Sequence, residues 1–142
     1  MNNIILCEGK TDAILLSYYL GHTRNWRYTN KAPTTIPFRG ADSEEGNWYK
    51  RNGSYLAIWA VGGQENFEYA INEVIKINKL ANEKEKFYRI VILTDRDQAE
   101  KDELKLNNFN KYFSHSGLSV GLSKIKNGLI LISVILLVKK FR

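Results

Sequence analysis

Short aliphatic runs alternate with stretches of helical periodicity along the chain, and this alternation restricts the fold more than any other feature. Residues 3–7, 55–61 and 88–93 have the length and composition of buried strands. Residues 12–20 and 65–82 repeat apolar side chains three and four positions apart, which is typical of helices packed on one side. Strands that alternate with helices predict an α/β domain whose sheet is mainly parallel and has about four strands.

The rest of the pattern is less regular. We expect Thr11 to be the N-cap of the first helix and Gly21 to follow its last turn. Residues 98–113 predict a third helix, and residues 118–122 predict a short strand. Residues 129–138 fit a buried strand or a core helix, and periodicity does not distinguish the two.

The segment 22–54 interrupts the alternation. It contains both prolines and five aromatic residues, among them Trp26, Tyr28, Trp48 and Tyr49, and it predicts an extended insertion or an irregular hairpin. It also carries six cations, Arg24, Arg27, Lys31, Arg39, Lys50 and Arg51. Aromatic rings beside cations are typical of surfaces that bind single-stranded nucleic acid. The acidic residues in the same segment favour the other interpretation, in which the rings pack onto the edge of the sheet.

Length and composition indicate one domain. A chain of 142 residues buries a sizeable core, and 12% aromatic residues exclude a disordered protein. We expect residues 1–116 to form the domain, with the insertion at about 22–54, and residues 117–142 to form a basic and apolar C-terminal segment. The single cysteine excludes a disulfide framework and predicts a cytoplasmic protein in which Cys7 is a small buried residue.

Two further properties bear on possible partners. The longest apolar run, residues 128–138, is shorter than the span of about 20 residues that a membrane helix needs, so we expect no membrane association. The net charge of +6 comes mainly from the C-terminal segment, because residues 1–116 hold 16 basic and 15 acidic side chains. Overall charge is therefore weak evidence for nucleic-acid binding by the domain.

Acidic side chains follow two of the predicted strands directly. Glu8 comes after the first strand, and Asp95 and Asp97 come after the third, on the same side of an extended chain. If the two strands are neighbours, three carboxylates converge at one end of the sheet, where Mg²⁺ finds the oxygen ligands it prefers. Spacing alone favours a simpler interpretation, with Asp97 and Glu100 as a helix cap, Asp95 in a turn and Glu8 in solvent.

The sequence around these carboxylates resembles the Toprim domain. Residues 4–12, Ile-Ile-Leu-Cys-Glu-Gly-Lys-Thr-Asp, are similar to its first motif, an apolar strand followed by Glu-Gly-x-x-Asp. Residues 90–97, Ile-Val-Ile-Leu-Thr-Asp-Arg-Asp, are similar to its second, an apolar strand followed by Asp-x-Asp. Between them, Gly62 and Gly63 resemble the glycine turn after the middle strand. The resemblance covers about residues 3–113 and implies a three-layer, Rossmann-like fold.

The resemblance also implies roles for individual residues. Glu8 would be the general acid or base of phosphoryl transfer, and Asp95, Asp97 and Glu8 would hold Mg²⁺, with Mn²⁺ as a possible substitute. Gly9 would allow close backbone approach, and Asp12 would orient the turn or the water around the metal.

Two further sites each have two interpretations. Lys10 and Arg96 flank the carboxylates and either contact the nucleic-acid backbone or serve as surface counter-charges. Gly62 and Gly63 either present backbone N–H groups to a phosphate or form a plain strand-to-helix turn.

The expected function is Mg²⁺-dependent phosphoryl transfer on nucleic acid, as a small Toprim nuclease or a nuclease fragment. A topoisomerase or a primase needs further domains for which this chain has no room. The alternative is a non-catalytic Toprim module that binds nucleic acid or protein and acts with a partner, and the near-neutral body of the chain favours it. The sequence does not distinguish DNA from RNA.

Overall fold

The computed structural model describes residues 1–95, 109, 111–113, 120–124 and 129–136. Within these residues there are seven strands: β1 (Asn2–Cys7), β2 (Arg27–Thr29), β3 (Glu45–Arg51), β4 (Ser54–Ala60), β5 (Phe87–Asp95), β6 (Val120–Lys124) and β7 (Leu129–Ile135). Helix α1 spans Lys10–Arg24, and helix α2 spans Phe67–Leu80 after a 3-10 turn at Gln64–Asn66. Phe109 and residues 111–113 are also helical.

The seven described strands form one mixed sheet in the order β2-β3-β4-β1-β5-β7-β6. The three central strands, β4, β1 and β5, are parallel, and the four outer pairings are antiparallel. The α/β class is therefore confirmed, whereas the expectation of a mainly parallel sheet of about four strands was wrong. The parallel core is present, but antiparallel strands extend it on both sides.

A short connection explains the antiparallel pairing of β3 with β4. Only Asn52 and Gly53 lie between β3 and β4, and their φ values of 47° and 81° are those of a tight hairpin turn. A connection this short joins only antiparallel strands. The extended or hairpin structure predicted for residues 22–54 is present as β2 and β3, which lie beside β4.

Helices pack on both faces of the sheet. Ile4 and Leu6 of β1 face α2, in a core that also contains Trp59, Phe67, Phe87 and Ile90. Cys7 faces α1 with Ala13, Leu56 and Ile58. The alternation of side chains along β1 thus supplies two apolar layers, one on each side of the strand.

The ends of α1 differ from the predicted ones. Gly9 is the N-cap and Asn25, in the left-handed conformation at φ 60°, follows the last turn. Thr11 and Gly21 therefore lie inside the helix, and their predicted capping roles were wrong. The Asp12 side chain accepts the Gly9 N–H at 3.1 Å and so fixes the start two residues earlier. Asn tolerates the left-handed conformation, which lets the helix run past Gly21.

The other predicted elements are placed as follows. Helix 65–82 is confirmed as the 3-10 turn and α2, and the strand at 118–122 is found as β6, shifted by two residues. The open choice for residues 129–138 is decided in favour of a strand, β7, which pairs with β5. Most of the helix predicted at 98–113 lies outside the described residues. No helix among the described residues is long and apolar enough to cross a membrane.

Candidate active site

The carboxyl ends of the parallel strands bring two of the predicted carboxylates together. Cys7 lies opposite Leu93 in the β1–β5 pairing, so Glu8 and Asp95 leave the sheet at the same edge. The Asp95 backbone N–H donates to Glu8 Oε2 at 3.2 Å, across 87 positions of sequence. We call this end of β1, β4 and β5 the carboxyl edge. Asp97 and Arg96, the other two residues predicted beside it, lie outside the described residues.

The environment of Glu8 changes its acidity. Burial of this half-buried side chain raises the pKa of Glu8, and the neighbouring Asp95 carboxylate raises it further. Hydrogen bonds from the Asp95 backbone and the Gln64 side chain oppose this rise, but the net pKa is above the ordinary value of a glutamate. Glu8 therefore holds a proton more readily than a solvent-exposed carboxylate, which suits a group that transfers protons.

Gln64 is a site residue that the sequence analysis missed. Its side chain hydrogen-bonds Glu8 from the 3-10 turn that follows β4. Its position could have marked it as a site residue, because it directly follows the glycine pair at the end of a predicted strand. Sequence alone gives no indication that this turn reaches across to β1.

Gly62 and Gly63 connect the turn after β4 to the turn after β1 by backbone hydrogen bonds. Their N–H groups donate to the Glu8 carbonyl oxygen at 2.9 and 3.0 Å. Both have positive φ values, 84° and 129°, a conformation that side chains other than glycine rarely adopt. Because these two N–H groups are engaged within the chain, the geometry favours the plain turn over a phosphate cradle.

The supporting residues of the first motif form the start of α1. The Gly9 N–H is bound by Asp12, so Asp12 orients the turn that carries Glu8. Gly9 has ordinary extended backbone, and a Cβ there would make only a normal contact at 3.8 Å with Asp12. Lys10 is exposed at the first position of the helix and forms no ion pair with the described residues.

The chemistry of the donor set fits Mg²⁺. Mg²⁺ is usually held by one or two carboxylates, with water and substrate phosphate as its other ligands. Glu8 and Asp95 supply two carboxylates, although the described residues contain no group of three acidic, His or Cys side chains that form a metal site. Thr94, next to Asp95, has a buried hydroxyl with no hydrogen-bond partner among the described residues.

Cys7 is excluded as a nucleophile. Its side chain is fully buried between β1 and α1, as predicted. Burial, with smaller contributions from Asp12 and Glu8, raises the pKa of the Cys7 thiol to about 12. The thiol is therefore protonated near neutral pH and unreactive.

The aromatic residues of the insertion divide between the two interpretations. Trp48 is buried and stacks on Phe87 with ring centroids 5.6 Å apart. Trp26 and Tyr49 pack against the core on the α1 side. Tyr28 is different, because 65% of its surface remains exposed. Packing thus accounts for Trp26, Trp48 and Tyr49 and leaves Tyr28 unexplained.

No family model, curated protein or solved structure matches this chain. The resemblance to Toprim domains therefore rests on the sequence motifs alone.

Proposed function

We propose that this protein is a Toprim-like enzyme that catalyses Mg²⁺-dependent phosphoryl transfer on nucleic acid, in its simplest form a nuclease. The observation that carries the proposal is the contact between Glu8 and Asp95 at the carboxyl edge. In open α/β sheets, ligands bind at this end of the strands. Glu8 directly follows β1 and Asp95 ends β5, in the order of the two Toprim motifs.

The residues divide the chemistry between them. Asp95 and Asp97, with Glu8 beside them, would hold Mg²⁺ or Mn²⁺. When bound, the metal neutralises charge on the phosphate. Glu8 would move the proton, giving it to the oxygen that leaves phosphorus as water attacks. Gln64 and the Asp95 backbone N–H hold the Glu8 carboxyl group in place.

The test is a cleavage assay on labelled single- and double-stranded DNA and RNA, with Mg²⁺ or Mn²⁺ against EDTA. We expect Glu8→Gln to lower the rate by about 100-fold or more, the contribution typical of a general acid or base. Glu68→Gln is the matched control, because Glu68 is an exposed glutamate on α2. Equal rates for Glu8→Gln and Glu68→Gln, or cleavage that EDTA does not affect, would contradict the proposal.

A second variant tests the metal separately. Asp95→Asn keeps the size of the side chain and removes its charge. We expect its activity to require a higher Mg²⁺ concentration than that of wild type, because one carboxylate ligand is lost. An unchanged Mg²⁺ requirement would remove Asp95 from the metal site.

The exposed face of α1 favours the alternative, a module that acts with a protein partner. Four large side chains on this helix are more than half exposed: Ile14, Leu15, Tyr18 and Tyr19. A cavity of about 400 Å³ beside them is lined mainly by apolar side chains, among them Ile5, Val91 and Leu131. Contiguous apolar surface of this kind is typical of protein contacts.

The partner that fits this face is a second copy of the chain. Helix α1 has Asp12 in its first turn and His22 and Arg24 in its last, so two antiparallel copies place acidic ends beside basic ends. Sedimentation of wild type, Leu15→Ser and Leu80→Ser tests this, since Leu80 is an equally apolar and more exposed leucine on α2. A dimer lost only in Leu15→Ser supports a contact between two copies through this face, and a wild-type monomer contradicts it.

A further inference from the structure

Four cationic residues lie at the end of the sheet opposite the carboxyl edge. They line a cleft of about 540 Å³ whose walls are Thr23, Arg24, Asn25, Arg27, Lys50, Arg51 and Asn52. We call it the basic cleft. It lies where β4 begins, whereas Glu8 lies where the parallel strands end. The seven residues of β4 separate the two edges by about 20 Å.

The fold assembles this cleft from two distant parts of the sequence. Helix α1 ends at Arg24, and the chain turns at Asn25 directly into β2. Antiparallel pairing of β2 with β3 then sets Arg27 opposite Lys50. The hairpin turn at Asn52 completes the wall.

No acidic side chain offsets this charge within the described residues. None of the walls of the cleft is Asp or Glu, and none of its four cations forms an ion pair with a described residue. Four cations around one space repel one another, and a bound anion relieves that repulsion.

Contacts within the protein account for only part of the cluster. Arg51 Nη1 donates to the Arg24 carbonyl at 3.3 Å, and Arg27 Nη1 donates to the Gly21 carbonyl at 3.4 Å. Both bonds stabilise the C-terminal end of α1, where cations are favourable. Each uses one of the five N–H donors of a guanidinium group and leaves the others for a ligand.

An aromatic ring lies against a cation of the cleft, and Tyr28 is next to Arg27 in β2. The Arg51 guanidinium stacks over Trp26 at 4.7 Å, which holds it in one orientation. Tyr28 contacts Tyr49 in a T-shaped arrangement with ring centroids 6.3 Å apart, and 65% of its surface remains exposed to a ligand. Unpaired cations with an exposed aromatic ring form the combination that binds single-stranded nucleic acid, phosphates on the cations and a base on the ring.

We propose that the basic cleft and Tyr28 form a binding site for single-stranded nucleic acid, separate from the carboxyl edge. The phosphates contact Arg24, Arg27, Lys50 and Arg51, and a base stacks on Tyr28. The site needs neither Glu8 nor a metal ion, so binding there is independent of the proposed cleavage and its test can fail or succeed separately.

The experiment measures fluorescence anisotropy of labelled 20-residue oligo(dT) and oligo(U) over a series of salt concentrations in EDTA. The variant Arg27→Ala/Lys50→Ala/Arg51→Ala removes three cations of the cleft. The control Lys76→Ala/Lys79→Ala/Lys84→Ala removes three exposed lysines elsewhere. Circular dichroism verifies that each variant is folded.

We expect the cleft variant to bind at least tenfold more weakly than wild type, and the control to stay within about threefold. The slope of log affinity against log salt should become shallower by about 2 in the cleft variant, since each phosphate contact with a single strand contributes about 0.7. Equal losses in the two variants, or no binding by wild type at low salt, would overturn the proposal.

Tyr28 distinguishes a single-strand site from a site for any polyanion. We expect Tyr28→Ala to weaken binding about fivefold or more with an unchanged salt slope, because stacking on a base is not electrostatic. Tyr18→Ala is the control, since Tyr18 is 67% exposed on α1. If both tyrosine variants bind like wild type and inorganic polyphosphate competes as well as the oligonucleotides, the nucleic-acid assignment is wrong.

Discussion

The two edges of the sheet differ in charge and in how they are built. At the carboxyl edge, the Glu8 carbonyl binds the Gly62 and Gly63 N–H groups, and the Glu8 side chain binds the Asp95 backbone. At the opposite edge, exposed cations line a cleft that contains no acidic side chain. One edge is acidic and held by internal hydrogen bonds, and the other is basic and open to solvent.

This difference matches the two tasks that we propose for these edges. A group that transfers a proton needs a fixed position and an altered pKa, which hydrogen bonding and burial give to Glu8. A surface that holds a flexible polyanion needs charge and exposed rings, and it tolerates mobile side chains. Residues 1–116 are nearly neutral in sum, yet the carboxylates of the carboxyl edge and the cations of the basic cleft lie at opposite edges of the sheet. The net charge does not reveal this separation.

The largest expected change in stability concerns how firmly the insertion is packed onto the sheet. The comparison of the two edges depends on this packing, because the insertion carries the basic cleft. Trp48 of β3 is buried, stacks on Phe87 and lies edge-on to Tyr55. We expect Trp48→Ala to lower the free energy of unfolding by about 3–5 kcal/mol, because it leaves a cavity in the core. Tyr28→Ala, in the same insertion, should change it by less than about 0.5 kcal/mol. Urea denaturation of both variants measures the difference, and equal values would show that the insertion is loosely attached.

Two glycines test directly whether the carboxyl edge is more tightly packed than the basic edge. Gly62 is at the carboxyl edge and Gly53 is at the basic edge. Their φ values are 84° and 81°, so alanine strains both backbones alike, by about 1–2 kcal/mol. A Cβ at Gly62 would also lie 2.6 Å from Ser43 Oγ, whereas nothing lies within 4 Å at Gly53. We expect Gly62→Ala to be the more destabilising by about 1–3 kcal/mol in thermal or urea unfolding. A larger loss for Gly53→Ala would reverse the contrast.

The smallest effect concerns the start of α1, next to Glu8. Asp12 accepts the Gly9 N–H, and Thr11 is exposed. We expect Asp12→Ala to cost about 0.5–2 kcal/mol of unfolding free energy, as the loss of a capping interaction does, and Thr11→Ala to cost less than about 0.5 kcal/mol. The opposite order in urea denaturation would restore Thr11 as the cap.

Sequence predicted the parts of the molecule that depend on neighbouring residues. Periodicity located α2 and the three central strands, and the motif residues located Glu8 and Asp95. The proximity of those two carboxylates followed from the assumption that β1 and β5 are adjacent, and the structure pairs them.

Sequence did not predict the features that depend on which strands are neighbours in the sheet. Local pattern reports the type of an element but not the direction of its neighbour, so the antiparallel pairing of the outer strands with the parallel core was missed. The pair Asn52–Gly53 was an available hairpin signal. Gln64 reaches Glu8, and Arg27 reaches Lys50, only after the sheet has brought distant segments together.

The most direct test of the account measures cleavage and binding in the same two variants, Glu8→Gln and Arg27→Ala/Lys50→Ala/Arg51→Ala. The account predicts that Glu8→Gln loses Mg²⁺-dependent cleavage by about 100-fold or more and retains wild-type affinity for oligo(dT). The triple variant should lose affinity at least tenfold and retain kcat at saturating substrate. Cleavage at the wild-type rate by Glu8→Gln, or a parallel loss of cleavage and binding in both variants, would contradict it.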